Sequence, residues 1–270
     1  MSRLPAVANM FYPGDKGRLE EQLNTFVRPV LEPKRVLGAI SPHAGYMYSG
    51  GVAGAVFSQI RIPDAVVILG PNHRGMGARV ALSASGVWDM PLGPVSINEA
   101  LAKSILKASV SGVKIKDDPE AHAMEHSIEV QVPFLQFLQP EVSIVPIALS
   151  HLAYDVCQEI SRALVQGIQD YGKEVLLVAS TDMTHYESQE SARAKDKLAI
   201  DRILGLDPEG LHETVSRHGI SMCGVIPTTI VIEACKVLGA GKAELVRYAT
   251  SGDVTGDNAQ VVGYAGFIVY

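Results

Sequence analysis

A histidine in an unusual setting stands near the start of the chain, within residues 41–46, Ser-Pro-His-Ala-Gly-Tyr. His43 follows an apolar run at 36–40 with the length and composition of a buried strand. The same arrangement recurs where the apolar run 65–70 leads through Pro71 and Asn72 to His73. Neutral imidazole is the commonest protein ligand for metal ions, and it suits zinc, copper and iron. Two histidines at strand ends therefore indicate a metal site.

Two further histidines have an acidic neighbour in the sequence. His185 follows the apolar run 174–180, and Asp182 precedes it within the same short segment. A carboxylate at that distance can fix the imidazole tautomer, so this pair is a candidate acid and base. Glu125 and His126 form a second such pair. The structural alternative for that pair is a capping carboxylate at a helix start beside a surface histidine.

A divalent ion held by two imidazoles needs a third, anionic ligand. The candidates are Asp182, Glu125 and Cys223, and the spacing alone does not choose among them. Cys223 lies in a loop of small residues just before a predicted helix, and a helix N-terminus lowers the pKa of a thiol. Its structural alternative is a buried, inert thiol.

Tyrosines close to these motifs are the candidate substrate contacts. Tyr46, Tyr48 and Tyr186 could wall an aromatic pocket, or they could pack in the core or at its rim. The glycine-rich stretches match neither a phosphate-binding loop nor a dinucleotide fingerprint, so the sequence does not indicate a nucleotide site.

The elements that must position these residues alternate between strand and helix. Predicted strands cover 36–40, 65–70, 142–148, 174–180, 243–249 and 261–269, with short antiparallel strands at 79–97. Predicted helices begin after Asp15 and cover 49–57, 98–108, 154–170, 189–204, 208–217 and 227–238, with a half-helical segment at 120–135.

This alternation predicts one α/β domain spanning residues 1–270, with a mixed, largely parallel central sheet flanked by helices. Ligands of such sheets bind at the carboxyl ends of the strands. Because His43, His73 and His185 all follow strands, we expect them at that edge.

Composition limits the classes of partner. The chain has 270 residues, with 23 basic against 29 acidic side chains, which argues against nucleic acid and anionic membranes as partners. No stretch has the length and apolarity of a membrane span, and the first residues lack the apolar core of a signal peptide. Three cysteines do not make a disulfide framework. We therefore expect a cytoplasmic protein.

Taken together, the motifs resemble those of the Memo family, whose bacterial and archaeal members are also called AmmeMemoRadiSam system protein B. The matching segments are 41–46 (SPHAGY), 70–73 (GPNH), 125–135 (EHSIEVQVPFL), 180–186 (STDMTHY) and 223–224 (CG). The resemblance is collinear from Phe-Tyr-Pro at 11–13 to the closing strands.

The resemblance implies a fold similar to that of the class III extradiol ring-cleaving dioxygenases. It implies that His43 and His73 are metal ligands, and that Cys223 stands where those enzymes have a carboxylate. His185 and His126 are implied beside the metal, where they would handle protons and oxygen. Asp182 and Glu125 are then expected as catalytic neighbours, and Tyr46 and Tyr186 as substrate contacts.

These expectations support one leading hypothesis and two alternatives. The first is a dioxygenase-type oxidoreductase of unknown substrate with one metal ion, iron or copper, with zinc possible. A thiolate ligand favours copper(I), zinc or a thiolate-tolerant iron over hard ions. The second is a non-catalytic module that binds metal or a (phospho)peptide in the same cleft. The third is a zinc hydrolase with Glu125 or His185 as base. All three expect a small molecule or a peptide as the ligand in the cleft.

Overall fold

The computed structural model of the protein describes residues 2–28, 30–109 and 114–270. Its strands are β1 (Ser2–Arg3), β2 (Gly38–Ser41), β3 (Ala65–Pro71), β4 (Val80–Leu82), β5 (Val87–Met90), β6 (Gly93–Ser96), β7 (Lys116–Asp117), β8 (Ser143–Leu149), β9 (Leu176–Ser180), β10 (His185–Glu187), β11 (Ala243–Thr250) and β12 (Val261–Val269). Its α-helices are α1 (Lys16–Phe26), α2 (Tyr46–Ser58), α3 (Glu99–Ala108), α4 (Val132–Leu138), α5 (Tyr154–Tyr171), α6 (Gln189–Leu204), α7 (Pro208–Arg217), α8 (Val225–Val237) and α9 (Gly252–Thr255).

The main sheet is mixed, as the sequence predicts, with a parallel centre. Its order is β10-β12-β2-β9-β3-β8-β4-β7, and β11 pairs with β12. β2, β9, β3 and β8 run parallel to one another, and antiparallel pairing joins β12 to β2 and β4 to β8. The central strands are apolar without interruption because both of their faces are buried.

Successive residues of the central strands enter two different cores, one on each face of the sheet. Val67 and Leu69 of β3 belong to the core covered by α3, α5, α6, α7 and α8. Val66 and Ile68 belong to the core covered by α1, α2, α4 and the β5–β6 hairpin. The period-two alternation of a strand thus divides one apolar run between two helical layers.

A small second sheet joins residues 2–3 to the hairpin formed by residues 87–96. β1 pairs in parallel with β5, and β5 pairs antiparallel with β6. The side chain of Arg3 crosses Trp88 of β5, with its guanidinium carbon 4.1 Å from the ring centroid. Short strands around Trp88 were predicted, whereas the pairing of β1 with them was not.

The predicted element bounds agree closely with the structure. α6, α7 and β12 cover the predicted ranges, and Asp15 caps α1 by accepting a hydrogen bond from the backbone N–H of Arg18. The segment after Glu120 forms two single 3-10 turns before α4 begins at Val132. Among the described residues, no helix is long and apolar enough to cross a lipid bilayer.

Candidate metal centre

The candidate residues lie at one edge of the sheet, after the neighbouring parallel strands β2, β9 and β3. Ser41 of β2 is in register with Ser180 of β9, and Leu69 of β3 is in register with Ala179. His43 and His73 therefore emerge side by side, two residues beyond the ends of their strands. The expectation that they meet at the carboxyl edge is confirmed: their ring centroids lie 5.2 Å apart.

Ser180 fixes the orientation of the His43 ring. The Nδ1 atom of His43 lies 3.0 Å from the Ser180 hydroxyl oxygen. That hydroxyl donates its own proton to the carbonyl of Ser127 at 2.5 Å, so it accepts from His43. His43 consequently carries its proton on Nδ1 and leaves the Nε2 lone pair available. The ring is 2% exposed, and burial lowers its pKa well below the usual value.

Glu125 fixes His73 in the same way. One carboxylate oxygen accepts the backbone N–H of His73 at 2.6 Å, and the other lies 2.9 Å from its Nδ1. The second oxygen also accepts the backbone N–H groups of His126 and Ser127. Burial raises the pKa of Glu125, but the hydrogen bonds from His73 and Ser127 outweigh it and leave the pKa at about 2. Glu125 is thus an ionised carboxylate that holds a histidine.

His126 packs against His73. The two rings are stacked with centroids 4.6 Å apart and planes 15° apart, and Phe11 covers His126 with centroids 4.9 Å apart. Burial is the largest effect on His126 and lowers its pKa to about 4. The ligand atoms of His43, His73 and His126 all lie within 4.8 Å of one another. These three histidines, one buried, one half-buried and one exposed, can hold a metal ion.

Cys223 lies beside this cluster and contacts one member of it. Its Sγ is 3.2 Å from Nε2 of His43 and accepts the backbone N–H of Asp182 at 3.2 Å. Gly224 allows the approach, because a Cβ at that position would stand 2.3 Å from the Ser180 carbonyl oxygen. Burial, reinforced by the Asp182 charge, raises the pKa of Cys223, so the thiol is protonated at neutral pH.

The structure places Asp182 beneath the loop that carries His43. One carboxylate oxygen accepts the His43 backbone N–H at 2.8 Å, and the side chain is 5% exposed. Burial raises the pKa of Asp182 to about 6, although hydrogen bonds from His43 and Ala44 oppose the shift. Asp182 faces the same cavity as the three histidines.

His185 also lines the cavity, but on an element that was not predicted. It begins the short strand β10, which pairs antiparallel with β12, rather than standing in a loop after β9. Its backbone N–H donates to the Ser221 hydroxyl at 2.7 Å, and its Nδ1 donates to the Ser221 carbonyl at 2.9 Å. These contacts make Nδ1 the donor, so Nε2 carries the lone pair, as in His43.

The cavity at this edge has a volume of about 740 Å³. It is lined by Met10, Phe11, His43, Ala44, Gly45, Tyr48, His73, His126, Asp182, His185, Tyr186, Ser251, Thr255, Asp257, Gln260, Val262 and Tyr264. Tyr186 lines its mouth with a side chain that is 73% exposed and a backbone φ of 58°. A positive φ is uncommon in residues other than glycine, and residues with such a strained backbone are often found at functional sites.

The structure corrects the placement of Tyr46 among the substrate contacts. Tyr46 is 2% exposed, donates its hydroxyl proton to the Val130 carbonyl at 2.7 Å and packs on Phe134 with centroids 4.8 Å apart. It is the first residue of α2, so its side chain turns into the core beneath the helix, whereas Tyr48 lines the cavity.

Two structural features around the site were missed at the level of sequence. Arg3 donates to the carbonyls of His122 and Glu125 at 2.7 and 2.8 Å and pairs with the fully buried Glu129 at 2.7 Å, which ties the start of the chain to the segment bearing Glu125. Tyr264, a buried residue of β12, lines the cavity. A tyrosine within an otherwise apolar strand was the only available signal for it.

Comparisons with known proteins agree with this geometry. The family model described as Memo-like protein matches residues 3–268. A MEMO1 family protein of Methanopyrus kandleri is 42% identical over 282 residues, covering 99% of each chain. MEMO1 family proteins of Pyrobaculum arsenaticum and Aquifex aeolicus are each 41% identical, covering 99% and 98% of each chain, respectively. The motifs, the edge-of-sheet histidine cluster and these full-length matches together establish that the chain belongs to the Memo-like protein family.

Proposed function

We propose that the protein is a metal-dependent oxidoreductase of the dioxygenase type, with one ion bound by His43, His73 and Cys223. The observation that carries the proposal is the orientation of the two histidines. Each has its Nδ1 engaged by an acceptor, so each presents Nε2 as the ligand atom. Their ring planes cross at 76°, and their ligand atoms lie within 4.8 Å of one another, so His43 and His73 would hold one ion between them.

Ring geometry argues against His126 as a third ligand. A metal ion lies close to the plane of each imidazole that binds it. The rings of His73 and His126 are stacked and nearly parallel, so an ion in the plane of one lies off the plane of the other. His126 is better suited to accept or release a proton beside the ion, because its pKa of about 4 keeps it neutral at pH 7.

The position of Cys223 suits the third ligand. In a tetrahedral site with bonds of roughly 2.0–2.3 Å, neighbouring ligand atoms stand about 3.5 Å apart. The separation of 3.2 Å between Cys223 Sγ and His43 Nε2 is close to this value. A thiolate supplies the negative charge that two neutral imidazoles lack, and it favours iron or copper over harder ions.

Iron or copper would supply one-electron and oxygen chemistry at this edge. The protein's own groups supply orientation and proton handling. Glu125 keeps His73 in its binding tautomer, and Asp182 holds the backbone of the His43 loop. His185 and His126 line the cavity as the candidate groups for proton transfer, and Phe11 and Tyr48 form part of its wall.

Elemental analysis of protein purified without oxygen tests the metal site, and Cys223→Ser and His126→Gln form a matched pair. We expect one equivalent of iron or copper in the parent protein. Cys223→Ser should weaken metal affinity by roughly tenfold or more, since it removes the anionic ligand. His126→Gln should keep the ion and reduce oxygen consumption. Equal metal content in Cys223→Ser and a loss in His126→Gln would reverse the assignment in favour of the three histidines.

Oxygen-uptake assays across catechols and other small reductants test the reaction. Consumption of oxygen that requires both the bound ion and His185 would support the oxidoreductase. Tight metal binding without turnover of any reductant would instead support a non-catalytic binding protein. Zinc as the sole bound metal, together with ester or amide hydrolysis, would support a hydrolase.

A further inference from the structure

Gln131 is a fully buried glutamine whose side-chain amide contacts the surroundings of His43 at two points. It lies in the 3-10 turn Glu129–Gln131, directly before α4. Its Nε2 atom lies 2.9 Å from the carbonyl oxygen of Pro42, the residue before His43, and 2.7 Å from the hydroxyl oxygen of Ser180. Gln131 and Ser180 are each 0% exposed, so both contacts lie inside the protein.

The chemistry of the acceptors fixes which end of the amide faces them. The Pro42 carbonyl can only accept, so the amide presents its N–H₂ group rather than its oxygen, and its two N–H bonds serve Pro42 and Ser180. The Ser180 hydroxyl donates its own proton to the Ser127 carbonyl at 2.5 Å. Its two lone pairs then accept from Gln131 and from Nδ1 of His43. Every hydrogen-bonding position of this hydroxyl is therefore filled.

Glu125 holds the other histidine of the proposed site in a comparable way. Its carboxylate accepts the backbone N–H of His73 and contacts the same ring at Nδ1. Gln131, in the same segment of the chain, holds the backbone beside His43 directly and the ring of His43 through Ser180. The segment 125–131 thus contacts the supports of both histidines.

We propose that Gln131 is a positioning residue of the metal centre, which orients His43 by fixing the Pro42 carbonyl and the Ser180 hydroxyl. The inference deepens the proposed function and rests on it in taking His43 as a metal ligand. A fully satisfied buried network of hydrogen bonds is rigid, so the loss of one member loosens the others. A side chain that is already held in its binding orientation loses less entropy when it binds.

The test removes the amide and compares two buried glutamines. Gln131→Met deletes both N–H donors and keeps a side chain of similar length. Gln136→Met is the matched control, because Gln136 is also buried, its Oε1 likewise has no partner among the described residues, and its Nε2 donates to the Gly93 carbonyl, away from the site. Ser180→Ala removes only the contact with the ring of His43.

Two quantities are measured on the full chain. The first is the Nδ1–H resonance of His43 in the metal-free protein, observed by ¹H–¹⁵N NMR and assigned by its absence from His43→Gln. The second is the affinity for zinc, a redox-inert probe ion, measured by competition with a chelator. The resonance reports how the ring is held, which a general loss of stability does not change in a protein that remains folded.

We expect a sharp Nδ1–H resonance in the parent protein and in Gln136→Met. Ser180→Ala should lose it, and Gln131→Met should broaden it, since the released hydroxyl no longer holds the ring in one orientation. Zinc affinity should fall by about tenfold in Gln131→Met and stay at the parent value in Gln136→Met. The double variant of Gln131 and Ser180 should lose less affinity than the product of the two single losses, because both residues act on one ring.

A parent-like resonance or a parent-like zinc affinity in Gln131→Met would overturn the proposal. Equal losses in Gln131→Met and Gln136→Met would do the same, since any buried amide would then have this effect. If Gln131→Met does not fold, Ser180→Ala decides: an unchanged resonance there would show that the hydroxyl contacted by Gln131 does not hold His43. A parent protein that binds no metal ion would contradict the proposed function alone, because the NMR comparison is made without metal.

Discussion

At the scale of single residues, the site depends on how each imidazole is held. His43, His73 and His185 each have Nδ1 engaged, by Ser180, Glu125 and the Ser221 carbonyl, respectively. Three different kinds of acceptor produce the same result, an imidazole with its proton on Nδ1 and its lone pair on Nε2. The sequence could identify the histidines from their positions after apolar strands. It could not identify these acceptors, because Ser180 and Ser221 are distant in the chain from the residues they hold.

Glu125→Gln should weaken metal binding at this site. Both carboxylate oxygens accept N–H groups, so the amide of glutamine must place its own N–H₂ against a donor in either orientation. His73 would lose its fixed tautomer, and we expect metal affinity to fall by roughly 10–100-fold. A competition titration against a metal chelator measures the change.

The control for this variant is Glu174→Gln, which changes a surface carboxylate paired with Arg35 and Arg61. Its metal affinity should equal that of the parent protein. If Glu125→Gln also bound metal with the parent affinity, Glu125 would have no role in orienting His73.

At the scale of elements, the close approach of α1 and α2 depends on a glycine. A Cβ on Gly54 of α2 would lie 2.6 Å from the backbone carbonyl carbon and oxygen of Phe26, the last residue of α1. Backbone atoms cannot move aside as a flexible side chain can. Because α2 begins directly after the His43 loop, its packing against α1 also supports the site.

Gly54→Ala should therefore destabilise the protein, by about 1–3 kcal/mol for an overpacked contact. Gly51→Ala, on the same helix, is the matched control, because its Cβ would have no atom nearer than 3.5 Å. Alanine there should be neutral or stabilise the helix by roughly 0.5–1 kcal/mol. Urea unfolding measures both, and equal stability of the two variants would refute the packing argument.

Sequence patterns predicted long elements better than short ones. The helices from Gln189 and from Pro208 were predicted because caps and apolar periodicity agree over many residues. β10 was missed because its three residues carry a bulge and no periodic pattern, and α9 because four residues are too few to show one. The pairing of β1 with β5 joins residues far apart in the sequence, which local patterns do not reveal.

At the scale of the whole molecule, only the part of the site that follows from strand topology could be predicted from the sequence. The rule that ligands bind at the carboxyl edge of parallel strands brought His43 and His73 together before any geometry was known. The rule about parallel strands does not predict the remaining wall of the cavity. That wall consists of the β11–β12 connection and Tyr264, and tertiary pairing alone brings these residues opposite the histidines.

The stability of the whole protein should depend on pH through His122. This side chain is 1% exposed, and burial, with help from Arg3, lowers its pKa to about 4 from a usual value of 6.5. Between these two values the unfolded chain binds the proton and the folded protein does not. The contribution of His122 is therefore complete above pH 6.5, is lost as the pH falls towards 4, and amounts to roughly 3 kcal/mol.

Urea unfolding at several pH values between 7.5 and 4 measures this dependence, and His122→Gln isolates it. Glutamine can retain a donor to the Ala81 carbonyl, which the His122 ring contacts at 3.1 Å, but it does not titrate. The variant should lose less stability on acidification than the parent. The same substitution at the exposed His218 is the control. Parallel profiles for His122→Gln and the parent would remove His122 as the cause.

The inner position of β12 has a consequence for how the protein folds. β12 pairs with β2, β10 and β11, and the residues it joins to β2 come from opposite ends of the described chain. Contacts between such distant segments have a high entropic cost of closure and form late in slow-folding topologies. His185 and Tyr264 reach the cavity only through strands joined by these contacts. We therefore expect the cavity to be completed late in folding, so that ligand binding there would report the rate at which the protein completes its sheet.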